Sequence, residues 1–310
     1  MRTIKILAWG LLHFRWPKFV SKIHLKIKAR NPVTFNQKIL RRMSEDPSPL
    51  FVKVAGRLTL RDHVAECLGE DYLPKLVGSG VSLEELDWNK FPLDFVIKSN
   101  HGSGSFLISS LVPESVCLPE KLNSFGWKRF YLNPKMLEEN YYKLIEISKK
   151  WMTMDYSYSP VRFPEPWYES IPRGFIVEEL LEEEGALLPS DFKFFVFHGE
   201  VKFIRVDTPF EFGRKSMAHF DWKWQHINTL FSERKNVSPY LPTQKIPSKP
   251  YNFDEMLHVA STLGKDFDFV RVDLFNSNKG IRVGELTLAP TSGQGFFTHP
   301  EIDYLLGSFW

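Results

Sequence analysis

An α+β fold with a mainly helical N-terminal region is predicted by three features of the 310-residue sequence. Apolar residues recur at helical spacing between residues 35 and 69. Past Leu93 the texture changes to short apolar strands, the first two flanking a glycine-rich loop. Two further strand pairs then surround short polar turns. Three segments are expected: a helical region over 1–92, an α+β lobe with the glycine-rich loop over 93–175, and a second α+β lobe over 176–310.

In chain order, Met1 to Trp16 carries Arg2 and Lys5 ahead of the apolar run Ile6 to Leu12, followed by His13, Phe14 and Arg15. That run lacks a small-residue cleavage site and falls short of the ~20 residues that span a bilayer. Lys18, Lys22, Lys26, Lys28 and Arg30 make the first thirty residues basic. The expectation is a helix packed on the body of the protein. The alternative is peripheral contact with the inner face of the membrane or a membrane-bound glycan precursor. Phe35, Ile39 and Met43, then Leu60, Val64 and Leu68, read as helices, with Thr34 and Gln37 in capping-box positions. Asp46-Pro47-Ser48-Pro49 breaks them.

Phe95 to Lys98 and Ser105 to Ile108 read as strands around Ser99-Asn100-His101-Gly102-Ser103-Gly104. Asn133 to Trp151 is helical, and Pro160, Pro164, Pro166 and Pro172 mark an irregular connection. Phe175 to Glu178 is a strand. Asp191–Phe197 and Val201–Val206 form a hairpin around His198-Gly199-Glu200. Residues 216–250 read as irregular, Phe253–Leu263 as a helix stopped by Gly264. Val270–Phe275 and Ile281–Leu288 form a final hairpin around Asn276 to Gly280.

Composition excludes little. The formal net charge of +3 argues neither for nor against nucleic acid, and the 15% aromatic content, with 27 Phe, points to packed β structure rather than a base-stacking surface. Cys67 and Cys117 form no CxxC pair and no zinc spacing, so they are read as reduced thiols of a cytoplasmic protein.

The chemistry concentrates in the last hairpin. Strand alternation puts Arg271 and Asp273 on one face, and Val283, Glu285 and Thr287 on one face of the return strand. With five unpaired turn residues, Phe275 lies opposite Ile281, Asp273 opposite Val283 and Arg271 opposite Glu285. Asp273 and Glu285 are then diagonal neighbours. Two inward carboxylates between β-branched residues require a compensating cation, and Mg²⁺ bridging phosphate oxygens suits such a pair. The alternative is a structural ion pair of Arg271 with Glu285. The loop after Lys98 is not a Walker A loop, since it lacks Gly-Lys-Ser/Thr and runs into a strand. Its amides can still lie over phosphates, with Lys98 supplying charge. Asp191 and Lys193 share a strand face opposite Phe192, Phe194 and Val196.

Four segments in order, Phe95 to Gly104, Asp191-Phe192-Lys193, Arg271 to Phe275 and Gly284 to Thr287, resemble the ATP-grasp superfamily, and specifically its TupA-like branch of teichuronopeptide and surface-polysaccharide synthesis. The resemblance runs from Phe35-Asn36-Gln37-Lys38 to Gly284-Glu285. It implies two α+β subdomains clasping ATP, with ATP and Mg²⁺ as cofactors. It implies that Lys98 contacts phosphate under a loop comprising Ser99, His101, Gly102, Ser103 and Gly104. Glu178, Glu179 and Leu181 would form the adenine hinge, Asp191 would hold ribose, and Lys193 would point to phosphate. Asp273, Glu285 and Thr287 would hold magnesium, with Thr287 where relatives have Asn. Arg271 would steady the transferring phosphoryl group.

Relatives typically carry Asp-Lys where this chain has Gly56-Arg57, so Arg57 and, one turn later, Arg61 are competing candidates for phosphate or substrate. Arg205, Arg214 and Lys215, with His219 and Asp221 beyond them, are further substrate candidates. The implied reaction is ATP-dependent carboxylate–amine ligation through an acyl phosphate. It would join an amine or amino acid to a carboxylate-bearing sugar or peptide acceptor, with no nucleic-acid partner. The alternatives are a kinase acting on a glycan hydroxyl and a glycosyltransferase of the same pathway. For the latter, Asp266-Phe267-Asp268 has the metal-binding letters but precedes the strand.

Overall fold

The computed structural model describes residues 25–27, 29–119, 128–157, 164–229, 231–232, 240–242 and 246–310. The basic N-terminal segment up to residue 24 lies outside them.

Three helices follow the first described residues: α1 (Phe35–Met43), α2 (Pro49–Ala55) and α3 (Arg57–Leu68). Thr34 caps α1 by accepting from the Gln37 amide, while Gln37 reaches back to the Thr34 amide, completing the expected capping box. The spacing of Phe35, Ile39, Leu40 and Met43 buries one face of α1. Ser48 caps α2, with Pro49 at its first position, where no amide is missed.

The first sheet has the order β1-β5-β2-β3-β4. Its strands are β1 (Leu76–Gly80), β2 (Phe95–Ser99), β3 (Ser105–Ile108), β4 (Arg129–Leu132) and β5 (Phe175–Glu179). All pairs are antiparallel except β3 with β4. Helix α4 (Leu137–Thr153) covers one face with Leu144, Ile145, Ile147 and Trp151, packed on Phe95, Ile97, Phe106, Phe130 and Phe175. Glu138 and Glu139 in its first turn favour the helix dipole. Strand β1 lies within residues expected to be helical.

The second sheet runs β10-β8-β7-β6-β11-β12. It comprises β6 (Asp191–Phe197), β7 (Glu200–Glu211), β8 (Arg214–Phe220), β10 (Tyr240–Pro242), β11 (Phe269–Ser277) and β12 (Gly280–Thr287). A short pair joins β9 (Phe231–Ser232) to β13 (Phe296–Phe297). Helix α5 (Phe253–Gly264) packs against one face of the large sheet, where Phe194 meets Phe253. The other face changes character along its length. Phe195, Phe197 and Phe269 pack on Phe35 of α1 with ring centroids 4.8–6.1 Å apart, and helix α6 (Pro300–Ser308) closes this layer. Two residues further along β6 the same face is charged, at Lys193 and Asp191, and is left to the cleft. Each buried Phe of this layer contributes roughly 1.5–3 kcal/mol. The aromatic end of the face therefore anchors the charged end.

Two expectations are corrected. Residues 216–220, read as irregular, belong to strand β8. Lys215, Met217 and His219 occupy one face of it and Ser216, Ala218 and Phe220 the other, and the polar face hid the period. The last hairpin also closes more tightly than expected. Ser277 pairs with Gly280, leaving a two-residue turn, and Gly284 is an extra residue bulged between Leu274–Val283 and Asp273–Glu285. Turn and bulge each advance the register by one, so Asp273 faces Glu285 and Arg271 faces Thr287. The predicted pairs Asp273–Val283 and Arg271–Glu285 do not form; Val283 pairs with Leu274 and is buried. A side chain on Gly284 would put its Cβ 2.6 Å from the Phe275 ring, which explains glycine at the bulge.

Candidate active site

The two sheets face each other across a cleft holding roughly 700 Å³ of empty space, solvent mouth included. Strands β2, β3, β4 and β5 contribute Val96, Lys98, Leu107, Arg129, Glu178 and Glu179, and the connection after β5 contributes Leu180, Leu181 and Leu188. From the second sheet come Asp191, Asp207, Lys215 and Phe275. Val96, Leu107 and Leu188 form a small apolar cluster with Leu180 packed against it. One end of the cleft is therefore greasy and the other charged.

On the first sheet, alternation along β2 turns Lys98 to the cleft and Ile97 and Ser99 to the α4 side. Lys98 donates to Glu178 at 2.6 Å, and Arg61 from α3 donates to the other oxygen of that carboxylate at 2.8 Å. Glu178 is buried, so two cations offset its desolvation. Glu179 accepts from the Lys75 amide at 3.0 Å and from Lys279 at 2.5 Å. This ties the end of β5 to the turn of the last hairpin. Burial favours the neutral acid, but Lys279 and the Lys75 amide outweigh it and hold Glu179 below its ordinary range.

On the second sheet a charged row crosses the strands: Glu285, Asp273, Lys193, Arg205 and His219 are successive cross-strand partners. Arg271 grips Asp273 with two hydrogen bonds of 2.6 Å and reaches Thr287 at 2.9 Å. Lys193 donates to Asp273 at 2.8 Å and also to Asp191. Burial works against the Lys193 ammonium, yet Asp191 and Asp273 raise its pKa above the ordinary value. The Arg271 guanidinium is likewise held charged by Asp273 despite burial. Burial pushes Glu285 toward its neutral form, and Arg57, Arg271 and Lys193 more than reverse this, lowering its pKa.

Asp207 is a residue that sequence reasoning missed. It is fully buried, bonded by Arg205 at 2.6 and 2.8 Å and by Lys215 at 2.5 Å. Burial alone would raise its pKa, but Arg205 and Lys215 hold it well below the carboxylate range. A signal was present: Arg205-Val206-Asp207 repeats Arg271-Val272-Asp273, and in both the arginine grips the aspartate two residues on. Arg129, another unpredicted cation, reaches the cleft from β4.

Other candidates sit elsewhere. His101 is buried beneath the loop with Nε2 3.2 Å from the Trp151 carbonyl, and the Ser99 side chain is fully buried. The part of the loop nearest solvent is Ser103, whose hydroxyl meets Tyr156 at 2.5 Å. Arg214 is exposed at the β7–β8 turn and pairs with Glu211 at 2.8 Å. His219 is buried against Phe203, and burial with the neighbouring Arg205 lowers its pKa to about 3, so it is neutral. Arg57 meets the loop backbone, not the open cleft. Among the described residues no cluster of three His, Cys, Asp or Glu is arranged to hold a metal by itself. Asp273 and Glu285 are a facing pair, and each lies within reach of cationic side chains.

One sheet carries Lys98 leading into the glycine-rich loop, and the other carries the cross-strand carboxylates Asp273 and Glu285. The sequence matches the family described as TupA-like ATPgrasp over residues 37–310. The chain belongs to the TupA-like ATP-grasp family. Solved structures resembling this family member include D-alanine–D-alanine ligase from Bacillus anthracis, with 12% identity and a TM-score of 0.40 over 77% of this chain and 58% of that one. N5-carboxyaminoimidazole ribonucleotide synthetase from Thermotoga maritima matches with 12% identity and a TM-score of 0.35, over 78% of this chain and 44% of that one. The ATP-grasp ligase PsnB, solved with minimal precursor, Mg and ADP, matches with 13% identity and a TM-score of 0.34, over 78% and 53%. The chain thus spans 44–58% of the length of these structures. No curated protein matches the sequence. No described helix is long and apolar enough to cross a membrane, and Cys67 and Cys117 are free.

Proposed function

We propose that the protein is an ATP-dependent carboxylate–amine ligase. It would form an amide through an acyl phosphate, adding an amino acid or amine to a bacterial surface polysaccharide or its precursor. The observation that carries this reading is one cleft lined by Lys98, which directly precedes the glycine-rich loop, and by Asp191, which Lys193 ties to Asp273 and so to Arg271 and the cross-strand Glu285. The apolar cluster of Val96, Leu107, Leu180 and Leu188 suits a nucleobase, with Glu179 to Leu181 supplying backbone groups at its edge. Asp191 suits the ribose. Lys98 and Lys193 suit the phosphates.

The donor set fits magnesium. Asp273 and Glu285 are paired across antiparallel strands, and Mg²⁺ takes one or two carboxylates while keeping phosphate oxygens as its other ligands. Thr287, hydrogen-bonded to Glu285 at 3.2 Å, is the neighbouring oxygen. The metal, when bound, supplies positive charge at the phosphate oxygens. The chain's own part is to orient the reactants and stabilise charge. A carboxylate oxygen of the acceptor attacks the γ-phosphorus and ADP leaves. The amine nitrogen then attacks the acyl carbon, phosphate departs with the bonding pair, and the amine's proton passes to solvent. Arg271 is placed to steady the phosphoryl oxygens. No protein nucleophile is required.

Incubating the protein with Mg-ATP and candidate uronic acids or amino-acid carboxylates plus amines tests this. Amide, ADP and free phosphate are expected, and Asp273→Asn or Glu285→Gln should reduce turnover at least 100-fold with the fold intact. A stable phosphoester product instead of an amide would identify a kinase. Stabilisation by UDP-sugars with no response to ATP would identify a glycosyltransferase.

A further inference from the structure

Helix α3 carries Arg57 and Arg61 one turn apart, on the face that meets the first sheet and its glycine-rich loop. Arg61 ties the helix to Glu178 on the first sheet. Arg57 does something different. Its Nη1 donates to the Ser99 carbonyl at 3.0 Å and also to the Gly102 carbonyl, at the start and within the glycine-rich loop. Its Nη2 lies 3.9 Å from the Glu285 carboxylate on the edge strand of the second sheet. The main chain repeats the connection: the Arg57 amide donates to the Asn100 carbonyl at 3.2 Å, and the Leu58 amide to the Asn100 side chain at 2.9 Å. The guanidinium is mostly buried, with 15% of the side chain exposed.

We propose that Arg57 is a positioning residue that joins the glycine-rich loop to the acidic edge of the second sheet, fixing loop and carboxylate relative to each other. A peptide plane carries C=O and N–H in opposite directions. Turning the Gly102 carbonyl toward Arg57 therefore turns the Ser103 amide away from it, as a donor for a ligand on the loop's other side. The planar fork of arginine supplies separate nitrogens for the carbonyl pair and for the carboxylate. A lysine ammonium gathers its donors on one atom and lacks the fixed fork that separates the two sides. The importance of the joined elements rests on the nucleotide reading above, but the coupling itself is a property of the ligand-free chain.

The experiment is hydrogen exchange of the amides from Asn100 to Ser105 in the full-length, ligand-free protein. The variants are Arg57→Gln, Arg57→Lys, Glu285→Gln and Arg57→Gln with Glu285→Gln. Exchange should accelerate about tenfold or more in Arg57→Gln and stay fast in Arg57→Lys, with strands β6 and β11 protected as in the wild type. Glu285→Gln should accelerate the loop a few-fold when Arg57 is present and add nothing in its absence. Four results overturn the proposal: loop exchange unchanged in Arg57→Gln, wild-type exchange in Arg57→Lys, an equal Glu285→Gln effect in both backgrounds, or a wild-type loop already exchanging at the free-chain rate. Titration of wild type with Mg-ATP runs alongside. No binding there sinks the ligase reading while leaving the exchange result to decide Arg57.

Discussion

Replacing Asp207 by Asn removes the negative charge, and one of the two acceptor oxygens, around which β7 and β8 arrange their cations. Arg205 is itself buried and spends two hydrogen bonds on this carboxylate, while Lys215 adds a third. Removing one partner of a buried pair leaves an uncompensated charge and costs about 3–5 kcal/mol. At roughly 2.1 cal/mol/K per residue, the unfolding entropy of the 310-residue chain makes that a fall in Tm of about 5–8 °C. Scanning calorimetry or urea denaturation reads it. The pH dependence gives a second, independent readout. Because the folded pKa of Asp207 is depressed, its contribution is complete above the unfolded value near 4 and is lost as pH falls below it. The wild type should therefore lose stability steeply below about pH 4, and Asp207→Asn should show a flatter acid limb. Adding Arg205→Met to Asp207→Leu removes the stranded charge along with its partner and should recover most of the loss. A cost below 1 kcal/mol for Asp207→Asn, or a double replacement as unstable as the single one, would refute the reasoning.

The bulge in the last hairpin makes a different prediction. Gly284→Ala sets a methyl group 2.6 Å from the Phe275 ring, which lines the cleft. It should cost about 1–3 kcal/mol by overpacking and weaken nucleotide binding, read by denaturation and by ATP titration; wild-type affinity would place Phe275 outside the binding surface. Mg²⁺ alone, at a few millimolar, should leave Tm unchanged, whereas Mg-ATP at 100 times its Kd should add about 2.7 kcal/mol, roughly 4 °C; an equal shift by Mg²⁺ alone would show a preformed metal site.

How legible this site was depended on the kind of signal each residue carries. Alternation is a local property, so the order of residues alone puts Arg271 with Asp273, and Glu285 with Thr287, on common faces. Pairing across strands is not local. It depends on whether a turn takes two residues or five and on one bulged glycine, and here both moved the register. The capping box of Thr34 and Gln37 and the His198-Gly199 turn were readable because their geometry is fixed by adjacent residues. Both turn residues adopt positive φ, at 48° and 81°, as a primed hairpin turn requires. Strand β8 and Asp207 were opaque for a shared reason. A strand that lines a cleft carries charge where a core strand carries Val or Ile, so it reads as a loop. The repeated Arg-Val-Asp was the one local trace of the second grip.

The cleft as it stands is electrostatically occupied. Asp273 is held by Arg271 and Lys193, Glu178 by Lys98 and Arg61, and Asp207 by Arg205 and Lys215. Lys98 and Lys193, the lysines proposed for phosphate, are thus both bonded to carboxylates. On the proposed reading, a bare divalent ion approaching Asp273 must compete with two cations already on it, at a cost the ion alone does not recover. A triphosphate changes the balance, because it offers Lys98 and Lys193 new anionic partners as it draws them from the carboxylates. The carboxylates so released then need a cation, and the magnesium that accompanies the nucleotide supplies it. On that reading metal and nucleotide would favour each other's binding by exchanging partners within a fixed set of charges, and by linkage each would strengthen the other by the same factor. The arginines differ from the lysines here. Arg271 and Arg205 are each held by paired hydrogen bonds to their aspartates, so on that reading they would stay as scaffold while the lysines change partners. The two Arg-Val-Asp segments would then keep the sheet's face intact through that exchange.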